Sequence, residues 1–381
     1  MSDQSDLLKL RHALHQSPDL SGAEGATAAL LAHRLGALAG VSLVTGLGGH
    51  GLVAVFASDQ PGPTVMLRAE LDALPISDAG AAPYRSIKPG IAHLCGHDGH
   101  MAILFGVAQH LSRTPPAKGR VVLLFQPAEE TAAGARAVLA DPAFASLRPD
   151  WAFALHNMPG LPLGAYAVAP GPASCASVGV TLHLTGVEAH AAFPETGRSP
   201  LGAMQAILAA LAPDMCVAPM DPDFRLATLC HMALGQPSFG IAPARGVMQV
   251  TLRAIHDDGL AALEAELMQT AQTEAARHGL SLDVTRHDHF NATLNDPNAA
   301  AIVEAAAQAT NLPRTDFDFP MRPSEDFGAF SADTPTALFF LGAGEDCAPL
   351  HNPAYDFPDA LLAPGVTVFL NILEQVWDDK G

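Results

Sequence analysis

Four short apolar runs, at 52–56, 64–68, 120–125 and 151–155, punctuate the first part of the chain, each bounded by Gly, Pro or charge. They are apolar along their length instead of alternating, which predicts strands buried on both faces. A strand covered on both faces needs helices above and below it. Residues 100–111 and 131–139 carry helical spacing between the runs. So do residues 5–38, where Leu7, Leu8, Leu10, Leu14, Ala28, Leu30, Leu31 and Leu35 face a core and Ser17-Pro18 interrupts the helix. This alternation predicts an α/β fold, a mostly parallel mixed sheet flanked by helices.

The pattern changes near Ser174. Strands are predicted at 178–184, 226–234, 246–254 and 282–285, and helices at 197–211 and 260–277. The second helix is amphipathic, with Leu260, Leu263, Leu267 and Ala271 on one face and Glu264, Glu266 and Gln269 between them. The order β-α-β-β-α-β is that of a ferredoxin-like α+β unit. A chain of 381 residues exceeds one ordinary core. The expected division is therefore 1–174 and 291–381 as one catalytic domain, with 175–290 inserted as a lid. An exposed strand edge on such a lid could pair with its own copy, giving a homodimer or a higher homo-oligomer.

The formal charge of −19 argues against nucleic acid and against an anionic membrane as partners. It leaves a small anionic substrate open, because one arginine or a metal reverses the field locally. Five scattered cysteines, Cys95, Cys175, Cys216, Cys230 and Cys347, do not form a disulfide framework. The sequence begins without a basic and then apolar leader, and no uninterrupted apolar stretch reaches spanning length. The expectation is a cytoplasmic protein.

The chemistry-bearing residues stand at the ends of these elements. Cys95-Gly96-His97-Asp98-Gly99-His100 places a thiol and imidazoles in a glycine-punctuated loop. Glu129-Glu130 ends the 120–125 run, His156 ends the 151–155 run, and His351 lies in the returning segment. The ends of strands in an open α/β sheet are where ligands bind. Thiolate, imidazole and carboxylate together are the donors of a metal site that activates water, with one carboxylate left over to act as base.

Arg68-Ala69-Glu70-Leu71-Asp72-Ala73-Leu74-Pro75 resembles the R-A-D-x-D-A-L-P signature of the hippurate hydrolase and aminoacylase family of metal-dependent amidohydrolases, which includes the auxin-conjugate hydrolases. The C-G-H-D-G-H stretch, Phe125-Gln126-Pro127-Ala128-Glu129-Glu130, His156-Asn157, Ser324-Glu325-Asp326-Phe327 and Leu350-His351-Asn352-Pro353 resemble it too, in the family's order along the whole chain. The resemblance implies a di-metal exopeptidase-like catalytic domain with two divalent ions held by Cys95, His97, Glu130, His156 and His351. Glu129 becomes the general base, which takes a proton from water and passes it to the leaving amine. Asp72 and Asp98 become the partners that orient the histidine ligands. His190 becomes the lid histidine that donates to the developing oxyanion, from its own or a partner subunit. Arg198 and Arg253 are candidates to take a substrate carboxylate. Cys and His donors favour zinc, while manganese, cobalt and nickel stay open.

The expected reaction is hydrolysis of the linear amide of an N-acyl or N-aroyl amino acid. A related aminopeptidase or dipeptidase is the alternative, although no acidic residue marks a free α-amino subsite. A metal-binding protein without catalysis is another, and the intact Glu129 argues against it. Departures from the family fall on the lid: Glu188-Ala189 precedes His190, Pro194-Glu195 and Ser199-Pro200 follow it, and Gly240-Ile241-Ala242-Pro243 lacks an expected asparagine. Glu70 also replaces the first aspartate of the signature. The substrate is thus less defined than the chemistry.

Overall fold

Each apolar run in the first part of the chain forms a strand of one sheet. In the computed structural model, which describes residues 4–216 and 220–378, these strands are β2 (Gly51–Ala57), β3 (Thr64–Glu70), β4 (Arg120–Gln126) and β5 (Trp151–Pro159), preceded by β1 (Val41–Leu47). β3 is buried at every residue, as a strand with helices on both faces must be. The sheet order is β1-β2-β4-β3-β5, then Thr336–Gly344, then Tyr166–Ala167. β4, β3, β5 and Thr336–Gly344 run parallel, and the remaining pairs are antiparallel. The register sets Glu70 beside Gln126, Arg68 beside Ala154 and Phe340 beside His156. The carboxyl ends of β3, β4 and β5 therefore meet along one edge.

Apart from short strands of two to four residues such as Tyr166–Ala167, two strands were absent from the sequence reading. Val41–Leu47, at the end of the sheet, buries only Leu47 fully and lacks a clean period. Thr336–Gly344 carries the same apolar run as its neighbours and was legible by the same rule.

The expected N-terminal helix is two, α1 (Gln4–Gln16) and α2 (Gly25–Gly36), separated at Ser17-Pro18. α3 (His97–Leu111) begins three residues before its expected start, at the left-handed Gly96 (φ +96°). It is buried almost throughout, and a Cβ on Gly99 would stand 2.4 Å from the Phe357 ring, so the helix packs against Phe357 as only glycine allows. α4 (Gly134–Ala140) begins later than expected, because residues 128–133 form a turn. Asp359–Asp378 is long and apolar enough to cross a membrane by length and mean composition, although polar residues such as Thr367, Asn371 and Glu374 interrupt it. Its Val366, Phe369, Ile372 and Leu373 are nevertheless buried in the core, with the Phe369 ring 5.8 Å from Phe339.

The chain divides into two units. The first comprises Met1–Ala173, Thr293–Phe319 and Glu325–Gly381 and contains the sheet just described. The second comprises Ser174–Ala292 and Pro320–Ser324; the sequence division at 175–290 had left out that short return. Its four antiparallel strands are ordered Arg225–Leu234, Arg245–Ala254, Ala176–Thr185, Ser281–Phe290. Helices Leu201–Leu211 and Asp257–Arg277 share a core with them, through Met204, Ile207, Leu263 and Leu267. The buried residues of Asp257–Arg277 recur every three or four positions, which is why that helix was legible.

Candidate metal centre

The sequence places several donors just beyond the strands of the first unit. Cys95 and His97 enter α3, Glu129 and Glu130 follow β4, His156 lies in β5, and His351 follows Thr336–Gly344. Donor atoms of Cys95, His97 and His156 lie within 4.8 Å of one another, as do those of Cys95, Glu130 and His351. Those of His97, Glu129 and Glu130 form a third such group. All five predicted ligands and the predicted base are thereby brought together in one unit.

Two of the imidazoles are fixed with Nε2 facing inward. His156 Nδ1 donates to the Asn157 carbonyl at 2.7 Å, which leaves Nε2 unprotonated, 3.5 Å from Cys95 Sγ. Burial, with His100 adding to it, pushes His156 down to about 3, so it stays neutral. His97 Nδ1 donates to the Asp72 carbonyl at 2.9 Å. Its Nε2 is buried without a hydrogen-bond partner, 4.0 Å from both Glu129 Oε2 and Glu130 Oε1. Glu130 Oε1 and Asp72 Oδ1 are buried and unpartnered as well. His351 is half exposed, with Nε2 3.6 Å from Glu130 Oε2 and a main-chain φ of +63°. Orphaned polar atoms of this kind are costly unless something else satisfies them.

The charges agree. Burial pushes the Cys95 thiol well above its ordinary range, and the carboxylates of Glu130 and Glu129 push it further. Burial also raises Glu130, to about 7, and Glu129 well above the carboxylate range, the latter helped by Glu325 and Glu130. A divalent cation reverses each of these effects, because it favours thiolate and carboxylate. Soft sulfur, neutral imidazole and crowded carboxylates are a donor set that fits such ions.

Behind the donors lies a buried charge network to which the sequence reading gave no role. The Arg68 guanidinium bonds Glu70, Gln126 Oε1 at 3.0 Å, Glu325 Oε1 at 2.8 Å and Asp326 Oδ1 at 2.6 Å. Glu70 also takes His100 Nδ1 at 2.7 Å, and His100 Nε2 lies 2.7 Å from Asn157 Oδ1. Both nitrogens of His100 are thus engaged by neighbours. Burial alone would raise Glu70, but Arg68 and His100 outweigh it and hold the carboxyl well below its ordinary value. The main-chain N–H of Asp326 points at Glu129 Oε1, 3.4 Å away. The signal was available for four of them: Arg68, Glu70, Glu325 and Asp326 sit in the Arg68–Asp72 and Ser324–Phe327 segments, whose charges are too many for a buried position without a purpose.

Three expectations need correction or relocation. Asp98 does not address a candidate ligand. Its carboxylate pairs with Arg11 Nε at 2.9 Å and His15 Nδ1 at 2.9 Å, on α1. Asp98 follows His97 directly on a helix, and adjacent helical residues face different ways. Asp72 meets His97 Nδ1 through its carbonyl, while its Oδ2 accepts Ser21 Oγ at 2.6 Å and Glu130 N at 3.0 Å. His190, Arg198 and Arg253 all belong to the second unit. Arg253 Nη1 there donates to Arg322 O at 2.8 Å and Ser324 Oγ at 2.6 Å, while Arg198 is exposed.

Comparison with known proteins gives consistent matches. A sequence model of peptidase family M20/M25/M40 matches residues 66–375. The chain is 28% identical to a hippurate hydrolase of Campylobacter jejuni, covering 97% of this chain and 96% of that protein. It is 30% identical to an N-acetyl-L-cysteine deacetylase of Bacillus subtilis, covering 94% and 85%. Its fold superposes with a TM-score of 0.81 on a Bacillus subtilis protein described as a dinuclear metal binding peptidase, at 24% identity and 97% coverage of both chains.

Proposed function

We propose that this chain, which belongs to peptidase family M20/M25/M40 and is a metal-dependent amidohydrolase, hydrolyses the linear amide of an N-acyl or N-aroyl amino acid. The observation that carries this reading is the convergence of Cys95, His97, Glu130, His156 and His351, with Glu129 beside them in a buried position. The names of the relatives, a hippurate hydrolase and an N-acetyl-L-cysteine deacetylase, favour an acylated amino acid as substrate. Two donor groups sharing Cys95 favour two divalent ions, and their sulfur and imidazole favour zinc. When bound, such ions supply a Lewis acid and lower the pKa of water.

The chain's own residues do the rest. Glu129 takes a proton from the attacking water and delivers it to the departing amine nitrogen. Its carboxyl is buried beside the candidate ligands, with the Asp326 N–H 3.4 Å from Oε1 to hold it in place for that exchange. His97 and His156 each hold a backbone carbonyl through Nδ1, which leaves Nε2 as the atom turned toward the other donors. The test is a screen of N-acyl amino acids with mass-spectrometric detection of the released amino acid, run with and without a chelator. Hydrolysis that persists unchanged after the protein is stripped of metal would overturn the reading.

Cys95→Ser should lower metal affinity by more than the roughly 10–100-fold that loss of a supporting hydrogen bond costs. A serine hydroxyl is a harder donor that stays protonated. Metal analysis after dialysis checks this, and unchanged stoichiometry and affinity would make Cys95 a structural residue.

His190 is assigned the oxyanion donor. It lies on the short strand Ala189–His190, paired with Ile241–Ala242. Its Nδ1 accepts the Ala192 N–H at 3.1 Å, so the proton of the neutral ring sits on Nε2, ready to be donated. His190→Ala should lower kcat on the order of 10²–10³-fold with a smaller change in KM, because the charge it meets develops only in the transition state. Steady-state kinetics decides this, and wild-type kcat in the variant removes the role. Mixing inactive His190→Ala with inactive Glu129→Gln restores activity only if the donor comes from a partner subunit.

A further inference from the structure

The loop that carries Glu129 and Glu130 is held by three carboxylates from other parts of the chain. Asp72 Oδ2 accepts the Glu130 N–H at 3.0 Å. Asp326 Oδ2 accepts the Ala135 N–H at 2.9 Å and Gln126 Nε2 at 2.9 Å, bracing both ends of the loop. Glu24 Oε1 accepts the Ala128 N–H at 2.8 Å, as well as Gly22 N–H at 2.8 Å. All three side chains are buried.

The loop needs holding. Ala128 and Ala132 have φ of +50° and +56°, a region that costs an L-residue energy wherever it is occupied. Ala128 immediately precedes Glu129. Were it to relax to negative φ, the Glu129 carboxyl would swing away from its present place. Glu24 stands apart from the reaction: among the described residues, no hydrogen bond joins it to a candidate ligand or to Glu129. Its second oxygen, Oε2, is buried and unpartnered, an arrangement with a free-energy cost that packing alone would avoid.

We propose that Glu24 is a positioning residue for the hydrolysis: by bonding the Ala128 N–H it keeps that residue left-handed and so aims Glu129 at the attacking water. This rests on Glu129 being the base. It assigns Glu24 a role in kcat, exerted through one main-chain bond.

Three variants test it, each followed by kinetics and by hydrogen exchange over residues 126–135. Glu24→Gln keeps the accepting oxygen and should retain kcat and exchange close to wild type. Glu24→Ala removes the acceptor, and Glu24→Asp withdraws it by one methylene while keeping the charge. Both should lower kcat about 10–10²-fold, more than they raise KM, since small displacements of a catalytic group cost that much. Both should also speed exchange in the loop. If Glu24→Ala does not fold, Glu24→Asp carries the comparison. Wild-type kcat and exchange in Glu24→Asp, or an equal loss of kcat in Glu24→Gln, overturns the proposal. Glu129→Gln assayed in parallel keeps the two readings apart: if it remains active the base is misassigned, whereas if it is inactive and Glu24→Asp is normal, only the positioning role falls.

Discussion

Glu129→Gln should bind metal as the wild type does and lose turnover roughly 10²–10⁴-fold, the usual worth of general acid–base catalysis. The substitution keeps size and one carbonyl-type oxygen, so the contact from the Asp326 N–H survives. What it removes is basicity at a side chain that is 6% exposed and has no other base assigned to its task. Burial, and after it the surrounding carboxylates, make the charged form of Glu129 unfavourable, so a neutral amide should fit at least as well, and the metal-free protein should not lose stability. Metal analysis, thermal unfolding and kcat on one cleaved acyl amino acid are the three measurements. Near-native kcat would transfer the base role to another residue. Loss of metal together with activity would make Glu129 a ligand instead.

Arg68→Met should be the most destabilising single change in the first unit. The guanidinium is fully buried and is the partner of Glu70, Glu325 and Asp326 at once. Removing it leaves three buried carboxyl groups without their cation. Breaking one buried pair typically costs about 3–5 kcal/mol, because the remaining charge is uncompensated. For a unit of this size that corresponds to a fall in melting temperature on the order of 10 °C. Methionine fills much of the volume, so the loss reports charge and not a cavity. A melting temperature within a degree or two of wild type would show that the carboxyl groups neutralise themselves by taking up protons.

The sequence made the interior strands and the second unit's helices legible because each obeys one clear period. β3 is buried throughout, and Asp257–Arg277 buries one face. Val41–Leu47 was illegible because an edge strand with one exposed flank has no such period. At the site, residue types and their places at the ends of elements marked Cys95, His97, Glu129, Glu130, His156 and His351 as candidates, while their division into ligands and base came from the family resemblance. Direction was not legible. Asp98 looks like a partner of His97 by adjacency, yet the helical turn that starts at Gly96 sends it to Arg11 and His15. Glu24 could not be singled out, since its effect passes through a main-chain N–H more than a hundred residues away.

The donors also arrive on a timetable. Cys95, His97, Glu130 and His156 all precede the second unit in the chain, and His351 follows it. At roughly 5–20 residues per second, a ribosome takes about 10–40 s to make the stretch from His156 to His351. During that interval the first unit has a thiol, two imidazoles and a carboxylate but lacks Thr336–Gly344, the strand that pairs with β5. The candidate donor set is then still missing His351. The full candidate set is therefore assembled only after the second unit has been made.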